Sequence, residues 1–309
     1  MTRYLAIGVL LLASSSARAD DDLEITAPST VVGDGRTVTS ISVKGGPAPR
    51  DGERSRNPAR PRLECKTGLA LPAIGKRPPA IIAPAVRKTT RMSCTATLRG
   101  ASKDFEIGVN APPAGLYAVL PGGIKAGDAE VVLDVFVADG KGGARPATAL
   151  RAMANIGRVK VSGSKVLLTL PESNAPRTIA VLMREKDNVG AAFVPVAGVA
   201  TLEVKTRRNA TLTLRIAGRD FGPWPAPTGR VDAPIVVPAG VGKATARAVS
   251  KTGFVNEKPI DLRIPAFPSA VALADSAVVG TTTKLWIAAA ERRGDPGTEL
   301  RATIDQGEL

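Results

Sequence analysis

Residues 129–138 read AEVVLDVFVA. Val131, Leu133, Val135 and Val137 alternate along this run, so an extended backbone turns all four to one side. Asp134 belongs to the opposite side. Valine at this period favours a half-buried strand. Asp139-Gly140-Lys141-Gly142-Gly143 then ends the run as a turn. A strand with one apolar face needs a second layer to cover it. Residues 159–161, 166–170, 178–183 and 193–196 repeat the signal, which predicts a small β-sandwich over residues 111–198.

The same alternation extends in both directions. Downstream, residues 201–205, 211–216, 231–237, 244–249 and 260–264 predict a compact sandwich over 199–265. Phe221-Gly222-Pro223-Trp224 interrupts it, and Trp224 is expected to anchor the small core rather than to serve as a surface contact. Turns are expected at 218–220 and 227–229. Upstream, residues 20–110 form a β-rich module with strands at 23–25, 38–43, 63–65, 81–82, 92–98 and 105–109. Residues 44–62 interrupt this module as a basic, Gly- and Pro-rich insertion with little to bury. The Ala-rich stretch 147–154 is compatible with a short helix but lies in a chain otherwise dominated by strand and turn signals. Strand signals at 283–288 and 300–304 leave 266–309 as a partial β module or a C-terminal extension. That segment either completes an earlier module or begins a fourth. The chain is 44% hydrophobic but only 3% aromatic, so Val, Ile, Leu and Ala must build the cores.

The N-terminus carries a different signal. Arg3 precedes an apolar run over residues 4–13, followed by small residues and Ala17-Arg18-Ala19. This is the layout of a secretory signal peptide spanning 1–19, with cleavage before Asp20. The run is shorter than the ~20 residues a membrane span requires, and no comparable stretch follows, so the mature chain is expected to carry no integral membrane segment. Export to a periplasm, outer cell surface or extracellular space follows. In such a compartment Cys65 and Cys94, the only cysteines, are expected to form one disulfide. That bond would stabilise the first module by about 2–4 kcal/mol.

Charge adds a candidate site. The formal charge is +14, and residues 44–99 carry 13 basic and three acidic side chains. Arg50, Arg54, Arg56, Arg60 and Arg62 compose a candidate anion-binding patch, with Arg87, Lys88 and Arg91 in support. A solvated, self-repelling loop is the competing reading and the favoured one. No basic motif is interleaved with aromatics, and the export signal points away from chromatin, so nucleic acid is not an expected partner. Glu130, Asp134 and Asp139 are calcium candidates if they converge around the turn. Strand alternation places Glu130 and Asp134 on one face with Asp139 beyond it, which favours solvated carboxylates and no metal site. Asn209-Ala210-Thr211 matches the Asn-glycosylation acceptor pattern.

The stretch GDAEVVLDVFVADG at 127–140, partly repeated by AVVGTTTKLWIA at 277–288 and echoed by VGDGRTVTSISV at 32–43, resembles modular bacterial immunoglobulin-like surface proteins. TLTL at 211–214 with GRVDAPIVVP at 229–238 is similar to a compact domain of that type. The resemblance implies tandem immunoglobulin-like β-sandwiches with spacer, surface-structural or adhesive roles. It implies no particular catalytic set or receptor.

Chemistry narrows the function classes. Histidine is absent from the chain, which excludes an intact Ser-His-Asp site, a Cys-His protease and the usual histidine-bearing zinc hydrolase. No phosphate-binding or dinucleotide motif appears, and no cofactor is expected. The leading expectation is an exported, noncatalytic surface-structural or adhesive protein whose partner is another envelope or surface protein. The alternative is an envelope glycan or anionic-polymer binder acting through the arginines named above, with a secreted enzyme a third reading. Homo-oligomerisation through an exposed β edge is compatible with each of them.

Overall fold

A computed structural model describes residues 23–47, 60–73, 76–265, 270–274 and 281–289. The expected signal peptide, Arg50, Arg54, Arg56 and the strand expected at 300–304 lie outside the described residues. The chain is all-β and builds tandem immunoglobulin-like β-sandwich modules, nearly every strand pair being antiparallel. Among the described residues no helix is long and apolar enough to cross a membrane.

The strand Glu130–Ala138 lies at the heart of its sandwich. It pairs with Gly115–Val119, Ala144–Pro146 and Lys165–Thr169, and the last of these pairs onward with Arg158–Ser162. The facing sheet is Leu150–Ala154, Arg177–Glu185 and Asn188–Val196. Val131, Leu133 and Val135 enter the shared core beside Val166, Leu168, Ile179, Val181 and Met183. The alternation then gives way. Phe136 and Ala138 are also buried, on the opposite face, whereas Val137 is only half-buried. Tyr117 and Ala85 cover that second face, and Ala85 comes from the first module. Of the two forms open to the stretch 147–154, the structure takes the strand, Leu150–Ala154, in register with residues 181–185. Five ladder partners override a weak alanine preference.

The first core gathers Leu23, Ile41, Val43, Ile81, Met92, Ala96, Ile107 and Val109. Thr90–Leu98 and Ala101–Asn110 form its long hairpin. The single strand expected at 38–43 is split at the fully buried Ile41. Val38–Ser40 pairs with Ala80–Ile82, whereas Ser42–Gly45 pairs with Leu23–Thr26. Cys65 and Cys94 are disulfide-bonded and face one another in register across Arg62–Cys65 and Thr90–Leu98. The bond therefore staples neighbouring strands of one sheet.

The third core holds Val204, Leu212, Leu214, Ile216, Val231, Ala233, Ile235 and Val237. Its larger sheet runs Arg219–Ala226, Ala210–Ile216, Lys243–Val249, Val255–Asp261, and its smaller sheet is Gly198–Lys205 with Arg230–Val237. Beyond it, Ala270–Ala274 and Leu285–Ala289 pair and return to the second module. Val271, Leu273 and Ala288 cover Ala180, Leu182 and Phe193 on the outside of its three-stranded sheet. Arg177–Glu185 is thus buried on both faces, as its near-continuous apolar run demands.

Candidate functional site

Of the arginines proposed as a binding patch, Arg60 and Arg62 are described, together with the supporting Arg87, Lys88 and Arg91. Arg62 stands opposite Thr97 and Arg91 opposite Gly108, at the two ends of the strand Thr90–Leu98. Six residues of strand separate them, about 20 Å at the usual rise. Each described arginine of the set also has a local partner. Arg60 donates to the Ala73 carbonyl at 3.2 Å. Arg62 is ion-paired with Glu64, Arg87 with Asp134 at 2.7 Å, and Arg91 with Glu106 at 3.5 Å. Lys88 is exposed. Burial and the neighbouring Arg219 lower the Arg62 guanidinium from its ordinary value, opposed by Asp220. Arg62 therefore belongs to the contact between the first and third modules, where a methyl on Gly218 would sit 3.3 Å from its Cβ.

Arg87 has a clear role in the junction between the first and second modules. Its guanidinium bonds Asp134 and lies 5.6 Å from the centre of the Phe136 ring. Arg36 approaches the Tyr117 ring from the same module, at 5.3 Å. The turn carrying Arg36 is fixed by Asp34, which accepts from the backbone of Arg36 and Thr37 at 2.9 and 2.8 Å. Burial raises the Tyr117 hydroxyl above its ordinary range. Two cations thus close over two aromatic rings that the second module presents outward.

The carboxylates considered for calcium do not assemble. Asp134 pairs with Arg87 at 2.7 Å while remaining 42% exposed. Asp139 folds back on its own turn and accepts the backbone N–H of Lys141 at 2.7 Å and of Gly143 at 2.9 Å. Those donors hold its carboxyl below the usual range. Glu130 pairs at Thr169, four residues along the strand from Asp134, about 13 Å away. Among the described residues no group of three or more acidic, Cys or His side chains is placed to hold a metal ion.

One concave site was not anticipated. Ala210–Ile216 turns Leu212, Leu214 and Ile216 inward, which leaves Thr211, Thr213 and Arg215 on the outer face. Thr213 stands opposite Arg247, and Arg215 opposite Thr245, across the central pair of strands. Two guanidinium groups and two hydroxyls therefore alternate as a checkerboard. Carboxylates flank it: Asp220 takes Arg215 at 2.8 and 3.1 Å, and Glu257 lies 3.6 Å from Arg247. Leu212 pairs with Trp224 and Leu214 with Phe221, so Gly222 and Pro223 together oppose Thr213. This bulge bends the edge strand, and the resulting trough encloses about 590 Å³. That lies within the range of about 300–1,000 Å³ common to ligand pockets. The Phe221–Trp224 stretch was read as an interruption because its Gly-Pro pair breaks the period. Trp224 itself leans on the core, as expected of an anchor.

No protein-family model and no curated protein sequence matches the chain. Solved structures do match. One is the Bacteroides ovatus mixed-linkage glucan utilization locus protein SGBP-B, solved with a mixed-linkage heptasaccharide. It is 12% identical, with 78% of this chain and 70% of that chain covered and a TM-score of 0.23. The titin domains I67–I69 are 9% identical over 81% of this chain and 100% of theirs, with a TM-score of 0.21. Drosophila OTK extracellular domains 3–5 are 10% identical over 78% and 97%, with a TM-score of 0.22.

Proposed function

We propose that this chain is an exported, noncatalytic surface-structural or adhesive protein whose immunoglobulin-like modules act as a stiff spacer. The observation that carries this reading is the junction between the first two modules. Phe136 and Tyr117 are almost fully buried there, against Ala85 and beneath Arg87 and Arg36. Modules strung on mobile linkers would leave such rings exposed. The N-terminal leader and the cysteine pair support an exported setting. Small-angle scattering of the purified chain tests the spacer. One narrow distance distribution is expected, broadened by Phe136→Ala. A wild-type chain with freely reorienting modules overturns the reading.

The trough favours a second reading, an envelope glycan or anionic-polymer binder. Arg215 and Arg247 lie on its floor among threonine hydroxyls, and Arg62 approaches its Asp220 end. Retention on immobilised anionic envelope glycan should fall in an Arg215→Ala, Arg247→Ala chain. Neutralising Arg50, Arg54 and Arg56 instead tests the insertion. Retention unchanged in both variants rejects this reading.

A further inference from the structure

We propose that a second copy of this chain pairs with the outer edge of the strand Gly198–Lys205, antiparallel and centred on Val204. In that register Glu203 of each copy faces Lys205 of the other. The smaller sheet of the third module contains only Gly198–Lys205 and Arg230–Val237. Two strands are the least stable sheet, and a third or fourth adds cooperative support. Among the described residues no strand pairs with the outer edge of Gly198–Lys205.

Hydrogen-bond directions identify which groups point outward. The Thr206 N–H donates to Gly229, on the side of Arg230–Val237. The Val199 N–H donates the other way, to Asn174. Backbone groups alternate along a strand, so Thr201, Glu203 and Lys205 present their N–H and C=O to the open edge. Arg230–Val237 is the poorer edge, because Pro234 occupies an outward position and has no N–H to offer.

Charge selects the register. Centring the pair on Glu203 sets two glutamates directly opposite, an unfavourable arrangement. Centring it on Leu202 leaves both charges facing uncharged residues and draws on the Val199 N–H that Asn174 already holds. Centring it on Val204 gives two symmetric Glu203–Lys205 pairs, each exchanging two backbone hydrogen bonds. Thr201, Glu203 and Lys205 are all exposed, and no described strand covers this edge. Half-buried Leu202, on the inner face, gains cover from the new strand. The result is one continuous four-stranded sheet across a two-fold axis.

Self-pairing is independent of what the modules bind. It is tested by sedimentation equilibrium of the purified chain, with circular dichroism to confirm that each variant is folded. The wild-type chain is expected to dimerise reversibly. Glu203→Lys and Lys205→Glu should each weaken dimerisation by about tenfold or more, since each sets like charges opposite one another. The E203K, K205E double variant should restore it. An equimolar mixture of the two single variants should form a heterodimer, because one carries two cations at the edge and the other two anions. A wild-type chain that stays monomeric at its solubility limit overturns the proposal. So does a dimer indifferent to both single substitutions.

Discussion

Glu185 is 1% exposed, yet its carboxylate accepts both terminal nitrogens of Arg145, at 3.0 and 2.8 Å. The Thr148 N–H and hydroxyl add bonds of 2.6 and 2.8 Å to one of its oxygens. Arg145 is the leading cause that lowers the Glu185 carboxyl to about 2, with burial opposing it. The cluster pins residues 145–148 to the end of Arg177–Glu185. A depressed acid stabilises the fold once it is ionised in the unfolded chain as well. That contribution is complete above about pH 4.5 and is lost as pH falls toward about 2. Its size is on the order of 3 kcal/mol. Urea titrations of the wild type between pH 6 and 2 should show this loss, and Glu185→Gln should flatten it while lowering stability at pH 6.

Gly190, on the strand Asn188–Val196, packs directly against the backbone of Leu116 in the facing sheet. A methyl there would lie 2.0 Å from the Leu116 carbonyl oxygen, a backbone atom that cannot swing aside. Gly190→Ala is expected to destabilise by about 2–3 kcal/mol or more. Gly122→Ala, where nothing lies within 4 Å, is the matched control and should stay within about 0.5 kcal/mol. Chemical denaturation of the two variants decides the point.

The Thr178 hydroxyl is buried without a hydrogen-bond partner among the described residues. An unmet polar atom costs free energy that an isosteric methyl does not. Thr178→Val should therefore be neutral or stabilising by about 1 kcal/mol. Thermal unfolding should show an unchanged or raised midpoint.

Across the first junction, ion pair and ring differ in weight. Arg87 and Asp134 are both more than 40% exposed, so a double-mutant cycle should yield no more than about 1 kcal/mol. Phe136 is fully buried, and Phe136→Ala should cost about 3–5 kcal/mol. A cycle energy as large as the ring's effect would reverse that ranking.

Trp286 lies beneath Arg184, whose guanidinium is 4.1 Å from the ring centre, at the margin of the hairpin covering Ala180, Leu182 and Phe193. Trp286→Ala should loosen that cover before the rest of the module opens. Hydrogen exchange should accelerate at residues 270–274 and 285–289 first. Uniform acceleration through residues 130–138 as well would mean that the hairpin and the sandwich unfold as one unit.

Period-two patterning made the all-β class and most core positions legible, because burial of one face is what the pattern encodes. Val131, Leu133 and Val135 are clear cases. Phe136 was opaque because its cover comes from Ala85, more than 50 residues upstream, and alternation within a strand carries no information about such a partner. Ile41 was opaque for a related reason: a strand that changes sheets keeps its apolar period through the switch. The cysteine pair was read correctly from compartment and count. The trough was missed since its floor is polar and its bulge resembles a break. Composition likewise carries no distances: strand register sets the supporting Arg91 about 20 Å from Arg62.

The hairpin that closes over Arg177–Glu185 is synthesised after the entire third module. A chain emerging N-terminus first therefore carries a completed second core with Ala180, Leu182 and Phe193 still bare. That patch stays sticky for as long as synthesis takes to deliver residues 270–289. Interruption at that stage would leave a species that is folded and aggregation-prone at once. The chain thus has a vulnerable interval set by the order of its synthesis rather than by the stability of its finished form.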